Sequence, residues 1–465
     1  MKKQLFYIFA SSMMLTSCHI YSNYERPTNL PTDSLYRDTA SVGVAMQATD
    51  TINFGNTPWR EVFTDPKLQS LIEEALANNT DMRTAALSVE QAEAGLMTSR
   101  LAYFPSLSFS PTGTVSKVEG NAATKSYSIP LQASWQVDLF GSLRNDKRMA
   151  EASLMQTKAY QQATQTQIIA SVANMYYTLL MLDEQLKLTK ETSEIWKQNV
   201  EAMELMLQAG GITNAAAVSQ SKGAYYEVLT TIPTLEQNIR STENSLSTLL
   251  HRSPGPIDRG TFADQSFPAS MSQGVPVQLL ENRPDVKAAE MSLQAAFYQT
   301  NKAYSAFYPN ITINGTLGWS NQALGIIKNP ADFLVQAVGS LVQPLFQKGQ
   351  LRANLKISKA QQETALLNFE QSLLNAGEEV SNALTSYQTA IDQECQRIKQ
   401  VKALQDAYDQ TEYLFSHGNT TTYLEKLTAQ QSLLSAQLSL ISDRFDKMQA
   451  VVSLYQALGG GRDSQ

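Results

Sequence analysis

The sequence predicts a mainly α protein with a membrane-spanning β part, built as two tandem repeats that each hold one β-hairpin and several long helices. Three observations carry that fold class: two stretches of strict apolar and polar alternation, two very long runs almost free of Gly and Pro, and a self-match of the chain along its own length.

The first alternating stretch is Ser126 to Leu139, in which every odd-numbered residue is apolar and no even-numbered one is large and apolar. A strand of this length reaches roughly 46 Å at ~3.3 Å per residue, more than the ~25 Å apolar band of a membrane barrel needs even when tilted about 45°. Tyr127 and Trp135 sit near the two ends of its apolar face, where membrane barrels carry interfacial aromatics. A long half-buried strand of a soluble sandwich would show the same alternation. The pattern recurs from Asn310 to Ser320, again with the odd positions apolar (Ile311, Ile313, Leu317, Trp319). Shorter partners flank both stretches, Ser106 to Ser110 before the first and Phe333 to Leu345 after the second, so hairpins are expected over residues 104–140 and 307–347.

Four strands cannot close a barrel, and an open edge in lipid leaves backbone groups unpaired. Several copies must therefore share one barrel. Two copies would give about eight strands around an interior filled by side chains, whereas three give about twelve and leave a water-filled lumen, which suits the polar even-numbered face.

The self-match aligns Leu76 to Pro105 on Leu280 to Pro309 at an offset of 204, Leu139-Phe140 on Leu345-Phe346 at 206, and Gly141 and Gly210 on Gly349 and Gly418 at 208. All offsets are even, so each strand keeps its face in both copies. The runs between these glycines predict long helices over 142–209 and 350–417, each about 100 Å at 1.5 Å per residue. Return helices are expected over 213–250 and 420–458, and helices leading into the hairpins over 65–103 and 276–306. One leading helix stacked on one return helix matches one long helix in length, which predicts a helical barrel continuous with the β part. Pro233 should kink the first return helix by crowding the carbonyl of Leu229.

Repeat one thus spans residues 61–252 and repeat two 276–458, joined by a linker over 253–275 and followed by a flexible tail, 459–465. The chain begins with Lys2 and Lys3, an apolar run too short to span a membrane as a helix, and Leu15-Thr16-Ser17-Cys18. Residues 1–17 read as a signal peptide, and the small residues before Cys18 resemble a lipoprotein cleavage site, which implies acylation of Cys18 and an extended lipid-anchored segment over 18–60. His19 at the next position weakly favours the outer membrane. The net charge of −7, with both signs interspersed, gives no footprint for nucleic acid. Cys395 is the one cysteine besides Cys18 and sits in a polar helical stretch as a structural residue, and the three histidines (His19, His251, His417) have no metal-ligand spacing. Glu378-Glu379 do not share a helix face, and Met203, Met206 and Leu207 are expected to pack between neighbouring helices. No catalytic residue, metal site or cofactor beyond the lipid on Cys18 is indicated.

Several motifs resemble the TolC-like outer-membrane efflux proteins in their lipoprotein branch. They are Trp59 to Leu68 (Trp-Arg-Glu-Val-Phe-Thr-Asp-Pro-Lys-Leu), the paired Tyr103-Phe-Pro and Phe307-Tyr-Pro, Trp135 to Gly141, Glu281-Asn-Arg-Pro-Asp-Val286, Gln343-Pro-Leu-Phe346 and Leu427-Thr-Ala-Gln430. The resemblance implies a homotrimer with a twelve-stranded barrel in the outer membrane of a Gram-negative bacterium and most of its mass in a periplasmic helical tunnel. It implies a passive channel, not an enzyme, that works with a periplasmic adaptor and an inner-membrane transporter to expel drugs, metals or other small solutes. It places adaptor contacts at the helical tips, Gly210, Gly211 and Thr213 with Gly418, Asn419 and Thr420. The alternating strands themselves put the interfacial aromatics at Tyr127, Trp135 and Trp319. The resemblance places the periplasmic constriction at Leu424 and Thr428, where Thr replaces the common acidic residue and Glu425, about one turn away, is the candidate substitute. The competing expectation is a structural or adaptor lipoprotein built on a periplasmic coiled coil, which explains the long helices but not the alternating strands.

Overall fold

A computed structural model describes residues 22–28, 30, 57–120, 122–210, 214–267, 283–323, 326–417 and 421–461. The signal peptide, Cys18 and most of the expected tether therefore lie outside the described residues. The helices are α1 (Trp59–Val62), α2 (Pro66–Asn78), α3 (Thr80–Leu101), α4 (Ser142–Gln208), α5 (Ala215–Leu249), α6 (Pro284–Ser305), α7 (Gln350–His417) and α8 (Tyr423–Ala457). The strands are β1 (Ser106–Phe109), β2 (Thr112–Ser116), β3 (Thr124–Val137), β4 (Asn310–Ala323) and β5 (Ile326–Val342).

All five strands join one antiparallel sheet in which β1 and β2 both pair with β3, β3 with β4, and β4 with β5. β1 and β2 are one strand interrupted at Ser110 and Pro111, because the register on β3 does not change from Phe109↔Leu131 to Thr112↔Ser128. Proline supplies the break: Pro111 and Pro130 both lack the N–H a ladder needs. Ser110 N donates to Pro130 O at 3.4 Å, so the missing Pro130 donor faces β1 and β2 and leaves the ladder to β4 intact. Opposite Pro130 on β4 stands Gly318, where a Cβ would lie 2.2 Å from the Ile129 carbonyl oxygen.

Each long helix starts just after a glycine in the left-handed conformation, Gly141 (φ 72°) before α4 and Gly349 (φ 82°) before α7. These are the glycines matched between the repeats, and the turn from strand to helix is the reason for them. Gly210 (φ 70°) ends α4 in the same conformation, as a C-terminal glycine does.

The chain packs as two compact units. The first holds Ala86–Tyr160 and Asp285–Ser372 with the segment around residues 22–28, and so contains the sheet. Within it Lys302 Nζ bonds Asp146 (2.6 Å) and Thr300 Oγ1 donates to Ser358 O (3.2 Å), tying α6 to α4 and α7. The N-terminal segment rests on α6 and α7: Arg26 pairs with Glu290 at 3.3 Å and lies over the Phe369 ring.

The second unit holds the remainder, around a core that includes Trp59, Phe63, Leu68, Ile72, Tyr176, Tyr177 and Leu180. Asp65 caps α2 by accepting from Lys67 N at 2.8 Å, and the Tyr176 hydroxyl donates to its other oxygen at 2.5 Å. The linker after repeat one is bound to this unit as far as residue 267 is described: Arg259 grips Asp183 with two nitrogens (2.5 and 2.9 Å) and Glu243 with a third contact (2.6 Å).

Two expectations need correction here, the single helix over 65–103 and the flexible tail. The helix expected over 65–103 is two helices, because the Asn79 side chain accepts from Asp81 N and Met82 N and caps α3. α5 carries Pro233 inside its span from Ala215 to Leu249, and the Thr230 and Thr231 hydroxyls before it donate back to Glu227 O and Val228 O one turn earlier. Gly459 to Gly461 are not a flexible tail: Gly460 O accepts from Thr166 Oγ1 (2.6 Å), Gly461 N donates to Tyr455 Oη (2.8 Å), and the Tyr455 ring fills the space a Cβ on Gly460 would take.

Candidate functional site

Two places in the chain carry the features expected of a conduit, the sheet and the tip-proximal ends of the helices. In the sheet the cross-strand register brings apolar residues onto one face. Ile129 opposes Trp319 and Trp319 opposes Phe333; Leu131 opposes Leu317 and Leu317 opposes Val335; Trp135 opposes Ile313. These side chains are exposed on the chain. A continuous apolar face of this extent on a soluble surface is rare. The other face is polar on β1 to β4, with Leu334, Val338 and Val342 of β5 at its edge, and Ser134 Oγ donates across it to Asn314 Oδ1 at 2.8 Å. Tyr127, Trp135 and Trp319 all belong to the apolar face, and Trp319 packs on Phe333 with ring centres 5.2 Å apart.

Equivalent motifs close the base of each hairpin. Trp135 Nε1 donates to Tyr103 O (2.9 Å) in the first, and Gln343 Nε2 donates to Phe307 O (3.0 Å) in the second. Tyr308 stacks on Phe140 at 5.0 Å, so the Phe307-Tyr-Pro motif of the second hairpin meets the Trp135 to Gly141 motif of the first.

In the second unit, α8 begins with a capping box: Glu425 N donates to Thr422 Oγ1 (3.3 Å) and Thr422 N donates to the Glu425 carboxylate (2.9 Å). That engagement directs Glu425 at its own helix start. Leu424 is 54 % exposed, and the exposed Thr428 donates to Leu424 O at 2.8 Å. Of the expected tip residues, Gly210 ends α4, while Gly211, Thr213, Gly418, Asn419 and Thr420 lie outside the described residues. Met203 is buried as expected, but Met206 and Leu207 remain exposed on the chain.

Sequence reasoning missed Lys426. It is only 5 % exposed, pairs with Glu412 of α7, lies 5.3 Å from the Phe415 ring centre and donates to Asn199 Oδ1 of α4 at 3.1 Å. Asn199 in turn donates to Gln430 Oε1 at 3.1 Å. Beside it, Trp196, Ala224, Val228 and Leu427 form an apolar cluster, and the Tyr423 hydroxyl donates to Ser221 Oγ of α5 at 2.6 Å. The available signal was a lysine at helical spacing from Tyr423 and Gln430, on the face that packs.

Among the described residues no His, Cys, Asp and Glu cluster is arranged to hold a metal ion, and no helix is long and apolar enough to cross a membrane. Cys395 is exposed on α7.

Residues 71–251 and 275–460 match the family described as outer membrane efflux protein. The chain is 29 % identical over 457 residues to the cation efflux system protein CusC of Escherichia coli K12, covering 97 % of this chain and 98 % of CusC. It is 30 % identical over 475 residues to the probable efflux pump outer membrane protein TtgC of Pseudomonas putida, covering 99 % of this chain and 96 % of TtgC. Among solved structures, CusC superposes with a TM-score of 0.82 at 28 % identity over 94 % of this chain and 99 % of that one. The MtrE outer membrane channel of Neisseria gonorrhoeae, in its open state, superposes with a TM-score of 0.82 at 25 % identity over 95 % and 98 %. Two matched segments, one in each repeat, and relatives aligned nearly end to end make this chain a member of the outer membrane efflux protein family.

Proposed function

We propose that the chain is the outer-membrane subunit of a tripartite efflux system, a passive trimeric conduit that carries drugs, metals or other small solutes from a periplasmic adaptor and an inner-membrane transporter to the exterior. One observation carries this reading: a four-stranded sheet, with β1 and β2 counted as one strand, is apolar across one face, polar on β1 to β4 across the other and open at both edges within a single chain. In lipid those edges must be paired, and three copies supply about twelve strands around a lumen wide enough for water. The apolar face then meets lipid and the polar face meets solute, while Cys18 carries the acyl anchor and most of the mass stands in the periplasm.

The helical tips at Gly210, Gly211, Thr213, Gly418, Asn419 and Thr420 meet the adaptor in this reading. The constriction in this reading falls on Leu424 and Thr428, with Glu425 about one turn from Thr428 and its carboxylate accepting from the Thr422 amide. The chain catalyses nothing and carries no cofactor beyond the lipid; the transporter supplies the energy.

Extraction of membranes tests the reading. A channel comes out only in detergent, as a heat-modifiable trimer that conducts ions in planar bilayers. Release as a soluble body once the lipid is removed would instead support a lipoprotein built on a coiled coil. Replacing Leu424 and Thr428 with Gly should widen the constriction and raise conductance; an unchanged value would remove these two residues from it.

A further inference from the structure

The polar face of the sheet has a composition that the conduit reading does not require. Of the even-numbered residues in β1 to β4, every one except Pro130 and Gly318 carries a hydroxyl or an amide; β5 adds Leu334, Gln336, Val338, Ser340 and Val342 to the same face, and none of these ionises. The register stacks them in rows across the strands, for example Ser108, Gln132, Thr316 and Gln336. Asp332 is the ionisable residue that joins this face, opposite Ser320, and it is paired with Lys328 at 3.2 Å near the turn between β4 and β5. Lys125, the charged residue of β3, opposes Val115 and so belongs to the apolar face.

Charged pores sort ions by rings of carboxylates or of basic groups, and a ring of one sign inside a low-dielectric wall concentrates counter-ions strongly. Hydroxyls and amides each offer both a donor and an acceptor, so they solvate cations and anions alike. We propose that the membrane part of the channel is neutral along its polar face and passes solutes without regard to the sign of their charge, leaving charge discrimination to the helical part. This rests on the conduit reading, in which that face lines the lumen.

The test uses the full-length trimer in outer-membrane vesicles, in a Cys395→Ser background so that a single introduced thiol reacts. Thr316→Cys places a thiol mid-row on the polar face, and Leu317→Cys places one on the apolar face. A cationic trimethylammonium-ethyl and an anionic sulfonatoethyl methanethiosulfonate are added from outside, and each rate is normalised to that reagent's rate with a free small thiol. A neutral lumen gives normalised rates at Thr316→Cys within about fivefold of one another, whereas a ring of charge separates oppositely charged probes further. A difference of about fivefold or more in either direction overturns the proposal. If Leu317→Cys reacts with both reagents and Thr316→Cys with neither, the polar face does not line a lumen, and the conduit reading fails with its own signature.

Discussion

The two return helices show what duplication keeps and what it lets go. α5 and α8 each have 35 residues and start at the same offset that relates Gly141 to Gly349. Both begin with a polar N-cap, Asn214 and Thr422. Both end with a carbonyl held by the residue just before the hairpin-leading helix of the same repeat: Asn79 Nδ2 donates to Leu249 O (2.8 Å), and its counterpart Arg283 donates to Ala457 O (2.7 Å). Inside this shared frame the chemistry diverges. Val218 of α5 is 7 % exposed, and its counterpart on α8 is the buried, ion-paired Lys426. Ile239 is buried, and its counterpart Lys447 pairs with Glu394 of α7 at 3.0 Å, joined by Arg444 at 3.1 Å. Helical periodicity and caps survive duplication because they hold the backbone; the residues on the packed face are free to exchange oil for charge where a partner is in reach.

Exchanging those residues breaks the comparison most sharply. Val218→Lys puts a cation into a packed site without the carboxylate and amide that Lys426 has, and should cost about 3–5 kcal/mol. Lys426→Val should cost less, because the Glu412 side chain left behind is 40 % exposed overall, although its Oε2 is buried and Asn199 Oδ1 loses a donor. The melting temperature of the trimer on detergent gels measures both. Equal losses would mean the two return helices are seated in the same way after all.

The hairpins differ in a complementary manner, and Gly318→Ala tests it. The second hairpin supplies the glycine that lets β4 approach Pro130 of the first, and the new methyl would meet the backbone of Ile129 and Pro130, which cannot rotate away. A loss of about 1–3 kcal/mol is expected, as for other overpacked sites. Pro130→Ser alone should be tolerated, since the restored N–H faces the gap between β1 and β2.

Much of this was legible in the sequence, for physical reasons that differ by element. Alternation exposed β3 and β4, because a strand with two distinct faces must repeat every second residue, and Gly141, Gly349 and Gly210 announced the ends of the long helices. The continuation of the first strand as β2 was not seen, since Thr112 to Ser116 has Val115 as its one large apolar residue and is defined by its partner β3. The break at Asn79 was hidden inside a run with helical periodicity, and the pinning of Gly459 to Gly461 depends on Tyr455 and Thr166, the latter almost three hundred residues away. At the tip, the resemblance pointed to Leu424 and Thr428 but not to Lys426, whose role depends on Asn199 and Glu412 from two other helices.

The helix starts should respond alike where their interiors do not. Asn214→Ala and Glu425→Ala each remove one capping interaction, from Ala217 N at 2.9 Å and from Thr422 N at 2.9 Å, and each should cost about 0.5–2 kcal/mol. Hydrogen exchange of the first-turn amides of α5 and α8 reads each cap separately. A loss confined to one of them would show that the shared frame is maintained at one tip only.

The smallest effect is a slope. Burial pushes the Glu394 carboxyl up, but hydrogen bonds and charge from Lys447 and Arg444 outweigh burial and hold it below the usual carboxylate range. A carboxyl whose folded pKa is depressed contributes stability that is complete above its unfolded value of about 4.3 and is lost as the pH falls from there through the folded value. Asp446 on the partner helix α8 has the opposite sign, since burial and Asp443 push it up. Glu394→Gln therefore removes one acid-sensitive contribution from the pairing of α7 with α8 while leaving that of Asp446. Amide exchange of α8 in the wild type should accelerate as the pH drops below about 4, after correction for intrinsic rates, and the variant should start faster at neutral pH and change less. α5, whose counterpart position is the uncharged Ile239, should be indifferent to the substitution. An α8 slope unchanged in the variant would mean that the ions between α7 and α8 are decoration on a packing no different from that of the first repeat.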